Sequence, residues 1–191
     1  MDIVAHTLWA GAGLALTRRR WPQPPRTVVL TLALAALPDL LHLLPIAAWW
    51  TFGGGSLAVL RDYAVALPGH EPPLPPLVLL LSHHLHCIPH SAIVAAAVGL
   101  LVWAVRRRLW VPLLGWWSHI VIDVFTHSAD FYPVPVLYPI TYRGFDGIAW
   151  NTPWFMLLNY AALAAVGLWL WRRRASVQGG DSHGAGGRPS D

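Results

Sequence analysis

Residues 77–105 read LVLLLSHHLHCIPHSAIVAAAVGLLVWAV, an apolar run interrupted by S-H-H-L-H-C-I-P-H-S at 82–91. Four of the chain's ten histidines fall in that interruption. The run is too long for one membrane crossing, which takes about 20 apolar residues. Pro89 divides it, because proline breaks the helix behind it and suits the start of a new one. The expected arrangement is an interfacial or re-entrant piece over 77–87 and a crossing over 89–105. Neutral imidazoles are costly to bury without partners. The histidines are therefore either wet or engaged with something, and the rest of the chain decides which.

Four further apolar segments flank this one, at 3–17, 27–50, 109–127 and 153–171. The first carries A-G-A-G at 10–13, small residues that suit close helix packing. It is not a signal peptide by pattern, since its arginines follow the apolar run instead of preceding it. The expected fold is all-α, a polytopic membrane bundle of about five transmembrane helices over 1–174. A disordered cytoplasmic tail is expected over 175–191, A-S-V-Q-G-G-D-S-H-G-A-G-G-R-P-S-D.

Composition supports a lipid solvent. Charged residues are 12% against 55% hydrophobic, roughly half the charge of an ordinary soluble domain. Twelve tryptophans suit a membrane interface. One cysteine excludes an internal disulfide framework and a cysteine-based zinc finger. The net charge of +4 resides largely in arginine clusters at 18–20, 106–108 and 172–174, with no aromatic–basic pattern for a nucleic-acid surface. Five alternating crossings put all three clusters on one side, the cytoplasm by the positive-inside rule. The N-terminus and the loops 51–76 and 128–152 then face outward. The expected location is a membrane crossed several times, with oligomeric state left open.

Counting residues from the arginine ends places His6, Asp39, His42, His90, His119 and Asp123 about 15–23 Å above the cytoplasmic side. Ionisable groups inside a membrane are expensive and mark functional sites. His119, Asp123 and His127 are spaced i, i+4, i+8, and Asp39 and His42 are spaced i, i+3, so each set shares a helix face. A mixed His/Asp set without thiolate suits zinc, manganese or iron in a hydrolytic site. The first-choice ligands are Asp39, His90, His119 and Asp123, with His6, His42, His127 and His86 next. His83 and His84 are adjacent, so at most one of them faces the site. His70 and His183 are read as solvated, and Cys87 as a small buried hydrophobe. Asp39 or Asp123 can alternatively serve as general base. Ser91 and Thr126 read as supporting hydroxyls. Arg143, in the loop after the His/Asp helix, is a candidate clamp for an anion, because its planar fork matches phosphate oxygens. Pairing with Asp146 is the structural alternative.

The pieces D-I-V-A-H-T-L, L-P-D-L-L-H, P-H-S and G-W-W-S-H-I-V-I-D-V-F-T-H-S-A-D-F-Y-P-V-P-V-L-Y-P-I-T-Y-R-G-F-D-G-I-A-W carry a likeness. Over residues 1–160 the chain resembles the bacterial family of membrane-bound, metal-dependent hydrolases of the inner membrane. Leu41 stands where that family's pattern has a second acid, which leaves the number of metal ions open. The family is in turn similar to zinc-dependent phospholipases C, whose metals sit on H-x-x-x-D/E helix faces, and the matching span here is His119 to Asp123. The resemblance implies hydrolysis of a phosphoester, with a phospholipid or another membrane-associated phosphoester as substrate and membrane lipid as partner. Two other classes fit parts of the pattern. Facing histidines can ligate haem, although carboxylates at the same depth argue against it. A metal or proton carrier uses similar Asp/His relays, but no polar path continues to the cytoplasmic end. A scaffold that keeps the metal without catalysis is a fourth reading.

Overall fold

The structure, a computed structural model, describes residues 1–181. Regular structure among the described residues is helical: α1 (Ile3–Thr17), α2 (Pro25–Leu41), α3 (Leu44–Phe52), α4 (Leu57–Ala64), α5 (Pro76–Cys87), α6 (Ala92–Arg106), α7 (Leu113–Thr126) and α8 (Pro153–Asp181). α8 continues through 175–181, the first part of the tail expected to be disordered, and the rest of that tail, 182–191 with His183, lies outside the described residues.

Prolines set most of the helix starts. Pro25, Pro45 and Pro76 occupy first-turn positions, where a missing N–H goes unnoticed. The expected break near Pro89 is present: α5 and α6 meet at a bend of 66°. The Pro89 carbonyl there is satisfied by the Trp116 indole N–H at 2.6 Å. Ser91 caps α6 by accepting from Val94 N–H, and its hydroxyl donates to the Tyr138 carbonyl at 2.6 Å. The segment 27–50, expected to be one crossing, is α2 and α3 joined at 64°. The loop 51–76 contains a helix, α4, that the apolar pattern did not announce because Arg61 and Asp62 interrupt it.

By length and composition, α8 over Pro153–Arg173 can cross a membrane, and up to three spans result if each bent pair counts as one. The shorter apolar helices α1 and α7 are 15 and 14 residues long. Large side chains on α8 face outward, with Leu157 72% and Trp171 65% exposed. A soluble monomer rarely shows so much contiguous apolar surface.

The centre of the bundle is α2, α7 and α1. Gly115 of α7 lies against the Thr31 carbonyl of α2, and a Cβ at Gly115 would collide with that oxygen. This contact draws the two helices together one turn before His119. On the outer side of the bundle, α1 meets α8 through the Trp9 indole N–H donating to Asn159 Oδ1 at 2.9 Å.

The C-terminal end of α7 is capped by returning chain. Gly147, Ile148 and Trp150 donate their N–H groups to the carbonyls of His127, Phe125 and Thr126 at 2.8, 3.0 and 2.9 Å. These are carbonyls that a helix end leaves without partners. Asp146 Oδ1 accepts from Ala129 N–H at 2.8 Å, so this acid closes the loop and does not pair Arg143. Tyr132 has φ 47°, a strained value for a non-glycine residue. It is held there by bonds from its hydroxyl to Glu71 Oε1 and the Ala66 carbonyl. Burial and the Glu71 carboxylate raise the phenol's pKa, which keeps it a donor.

Candidate metal centre

Asp39 on α2, His90 in the α5–α6 break, and His119 and Asp123 on α7 converge so that one ligand atom of each lies within 4.8 Å of the others. His90, His119 and Asp123 are 1%, 0% and 0% exposed. Only Asp39, with its side chain 18% exposed, has access to the outside.

The imidazole tautomers follow from the backbone. His90 Nδ1 lies 2.7 Å from the His86 carbonyl, and His119 Nδ1 lies 2.8 Å from the Ala35 carbonyl. A carbonyl oxygen only accepts, so each Nδ1 carries the proton and donates. Each Nε2 then presents a bare lone pair. Those two Nε2 atoms are 3.1 Å apart. His119 Nε2 is 3.0 Å and His90 Nε2 is 3.4 Å from Asp123 Oδ2. His90 Nε2 is 3.6 Å and His119 Nε2 is 3.7 Å from Asp39 Oδ1. The set is therefore four acceptors pressed together with no donor of its own. The Met1 ammonium meets Asp123 on its other oxygen, Oδ1, and the mutually facing Nε2, Oδ2 and Asp39 Oδ1 atoms suit a further cation among them.

Size agrees with charge. A tetrahedral ion with N and O ligands at its usual bond lengths separates neighbouring ligand atoms by about 3.3 Å. The five separations that involve an imidazole, 3.0 to 3.7 Å, bracket that value, and all six lie within 4.8 Å. Asp123 Oδ2, the atom that faces both imidazoles, is buried without a hydrogen-bond partner, as expected of an atom reserved for an ion. The residues present fit a metal ion.

His6 stands beside this group. Its ring stacks on His119 at 3.9 Å between centroids. His6 Nε2 is 2.8 Å from Asp123 Oδ1, yet neither ring nitrogen is aligned for a hydrogen bond. Asp123 Oδ1 also meets the Met1 ammonium and accepts from the Thr126 hydroxyl at 3.4 Å. Thr126 thus supports the carboxylate, as the sequence suggested.

The remaining candidates surround the four without joining them. His127 Nδ1 donates to the Asp123 backbone carbonyl at 3.1 Å. His86 packs 4.4 Å from the His90 ring, and His42 meets His86 edge-on at 5.8 Å. His42 Nδ1 is buried without a partner. His83 stacks on Tyr142, and His84 Nδ1 is 3.2 Å from the Tyr138 hydroxyl, so both turn to the 128–152 loop. Arg143 is exposed on that loop, and among the described residues it forms no ion pair with the acid–histidine group.

Three supports were not singled out in the sequence: the Ala35 carbonyl, Gly115 and the Met1 ammonium. Gly115 had a faint signal, a glycine four residues before His119 on the same helix face. Comparison with protein-family models, curated proteins and solved structures found no match.

Proposed function

We propose that the protein is a membrane-embedded, metal-dependent hydrolase of a phosphoester. The observation that supports this most is the group of Asp39, His90, His119 and Asp123, whose ligand atoms converge to within 4.8 Å of one another. Two imidazoles and two carboxylates without thiolate suit zinc first, with manganese and iron as alternatives. The resemblance to membrane-bound hydrolases adds the reaction class. In this reading the bundle crosses the membrane about five times, with the arginine clusters cytoplasmic and the loops 51–76 and 128–152 outside. The substrate then arrives from the outer leaflet or the extracytoplasmic side.

The residues divide the work by exposure. His90, His119 and Asp123 hold the ion, with the Ala35 and His86 carbonyls orienting the two imidazoles. A bound divalent ion supplies Lewis-acid polarisation of a phosphoryl oxygen and acidifies water. Asp39, the carboxylate with outside access, is placed to take a proton from attacking water. Arg143 meets the phosphate from the outer loop.

The test is a screen of lipid and nucleotide phosphoesters with the purified chain. Turnover should vanish with chelator and with Asp123→Ala. Turnover that survives both treatments contradicts the proposal.

A further inference from the structure

A second polar feature lies at the opposite end of α2 and α7. Gln23 and Arg26 before and within the first turn of α2, Arg106 at the end of α6, and Arg108, Leu109 and Trp110 before α7 line one cleft of about 480 Å³. Arg26 precedes Asp39 by 13 residues of helix, so the cleft sits about 20 Å from the metal centre. That volume lies within the usual range of small-ligand sites, about 300–1,000 Å³.

Three guanidiniums, one from the first turn of α2 and two from the end of α6 and the turn after it, share this cleft, and among the described residues none of the three has a carboxylate partner. Arginines that only set membrane orientation have no need to converge. Those at 18–20, for instance, do not line the cleft. The chain also adopts an uncommon conformation here. Arg107, between the two lining arginines, ends α6 in the left-handed region at φ 55°. Arg106 is additionally stacked over Trp110 at 5.3 Å. Like charges held together in this way call for an anion, and guanidinium forks suit phosphate oxygens.

The walls indicate which phosphate. Leu109 is 66% exposed at the rim, and Leu30, Trp110 and Val111 continue an apolar lining beside the guanidiniums. An aqueous ion needs no such border, whereas a lipid headgroup continues into acyl chains that cover it. We propose that this cleft binds the phosphate of an anionic phospholipid headgroup on the arginine-rich side of the membrane. The site is separate from the metal centre and does not depend on hydrolysis.

The test is native mass spectrometry of the purified full chain in detergent, titrated with phosphatidylglycerol or phosphatidylcholine. Phosphatidylglycerol should bind at least tenfold more tightly than phosphatidylcholine. The double variant Arg26→Ala/Arg108→Ala should weaken phosphatidylglycerol about tenfold or more. Arg26→Lys/Arg108→Lys should restore only part of it, because a point charge lacks the fork. The control Arg18→Ala/Arg19→Ala removes the same charge outside the cleft and should leave affinity unchanged. All three variants alter exposed side chains, and unchanged helix content by circular dichroism verifies their folding. Equal loss in both alanine doubles, or no preference between the lipids, overturns the proposal. Displacement of the lipid by equimolar inorganic phosphate would make this a free-phosphate site and overturn it as well.

Discussion

At Asp123, a carboxylate with no exposed surface meets His6, His90, His119 and the Met1 ammonium at once. Asp39 offers the second carboxylate but retains outside access. This difference in burial separates a holding residue from one that can exchange protons with solvent. Arg143 belongs to neither class, since it is exposed and stands apart from the ligand group. Its expected role is therefore seen in substrate handling alone. Arg143→Ala should leave metal content unchanged and lower kcat/KM about tenfold or more, the loss of a charge-assisted contact to phosphate. Arg143→Lys should recover part of that loss. Metal analysis beside steady-state kinetics checks both. Loss of metal in Arg143→Ala would place the residue in the ion's support instead.

Two consecutive turns match between α2 and α7: Gly115 lies on the Thr31 carbonyl, and His119 bonds the Ala35 carbonyl. The first contact sets the helix separation that the second requires. Gly115→Ala should push α7 off α2, cost about 1–3 kcal/mol as overpacking, and weaken metal affinity about 10–100-fold by releasing the His119 tautomer. Gly13→Ala is the control, because a Cβ there meets nothing within 4 Å. It should be neutral or stabilising by up to about 1 kcal/mol. Competition with a chromophoric chelator reads affinity, and denaturant melts read stability. Unchanged affinity in Gly115→Ala would show that the helix spacing does not position His119. Element ends also explain which candidates stayed outside the group. The helical spacing of Asp39 and His42 suggested one shared face, but α2 ends at Leu41 and the chain turns. His42 is thereby carried toward His86 and Tyr63. His127 stays on the Asp123 side of α7, its Nδ1 3.6 Å from Asp123 Oδ1 and 3.1 Å from the Asp123 backbone carbonyl, but it is not one of the four converging residues. It follows the last residue of α7 in extended conformation, with φ −120° and ψ 147°.

At the scale of the molecule, the all-helical class was legible because apolar runs and prolines punctuate the chain at helix boundaries. So was the core of the site: H-x-x-x-D on α7, and Asp39 and His90 at the same height. These signals are local spacing and depth, which a sequence carries directly. The helix-to-helix register that brings Ala35 to His119, and the return of 146–150 onto α7, depend on contacts between distant residues and leave no periodic mark. The five-crossing arrangement is testable in a Cys87→Ala background, which removes the one native thiol. Ser56→Cys should react with an impermeant maleimide in intact cells, and Trp21→Cys, beside an arginine cluster, should not. The reverse pattern would move the metal centre to the cytoplasmic half. The central claim is that the acid–histidine group holds a cation, and the most direct measurement is the metal content of the full chain after gentle, chelator-free purification. The account predicts at least one divalent ion per chain, most of it lost in Asp123→Ala and none of it in His70→Ala. Wild-type protein that carries no metal, or an Asp123→Ala variant that keeps the wild-type amount, would contradict it.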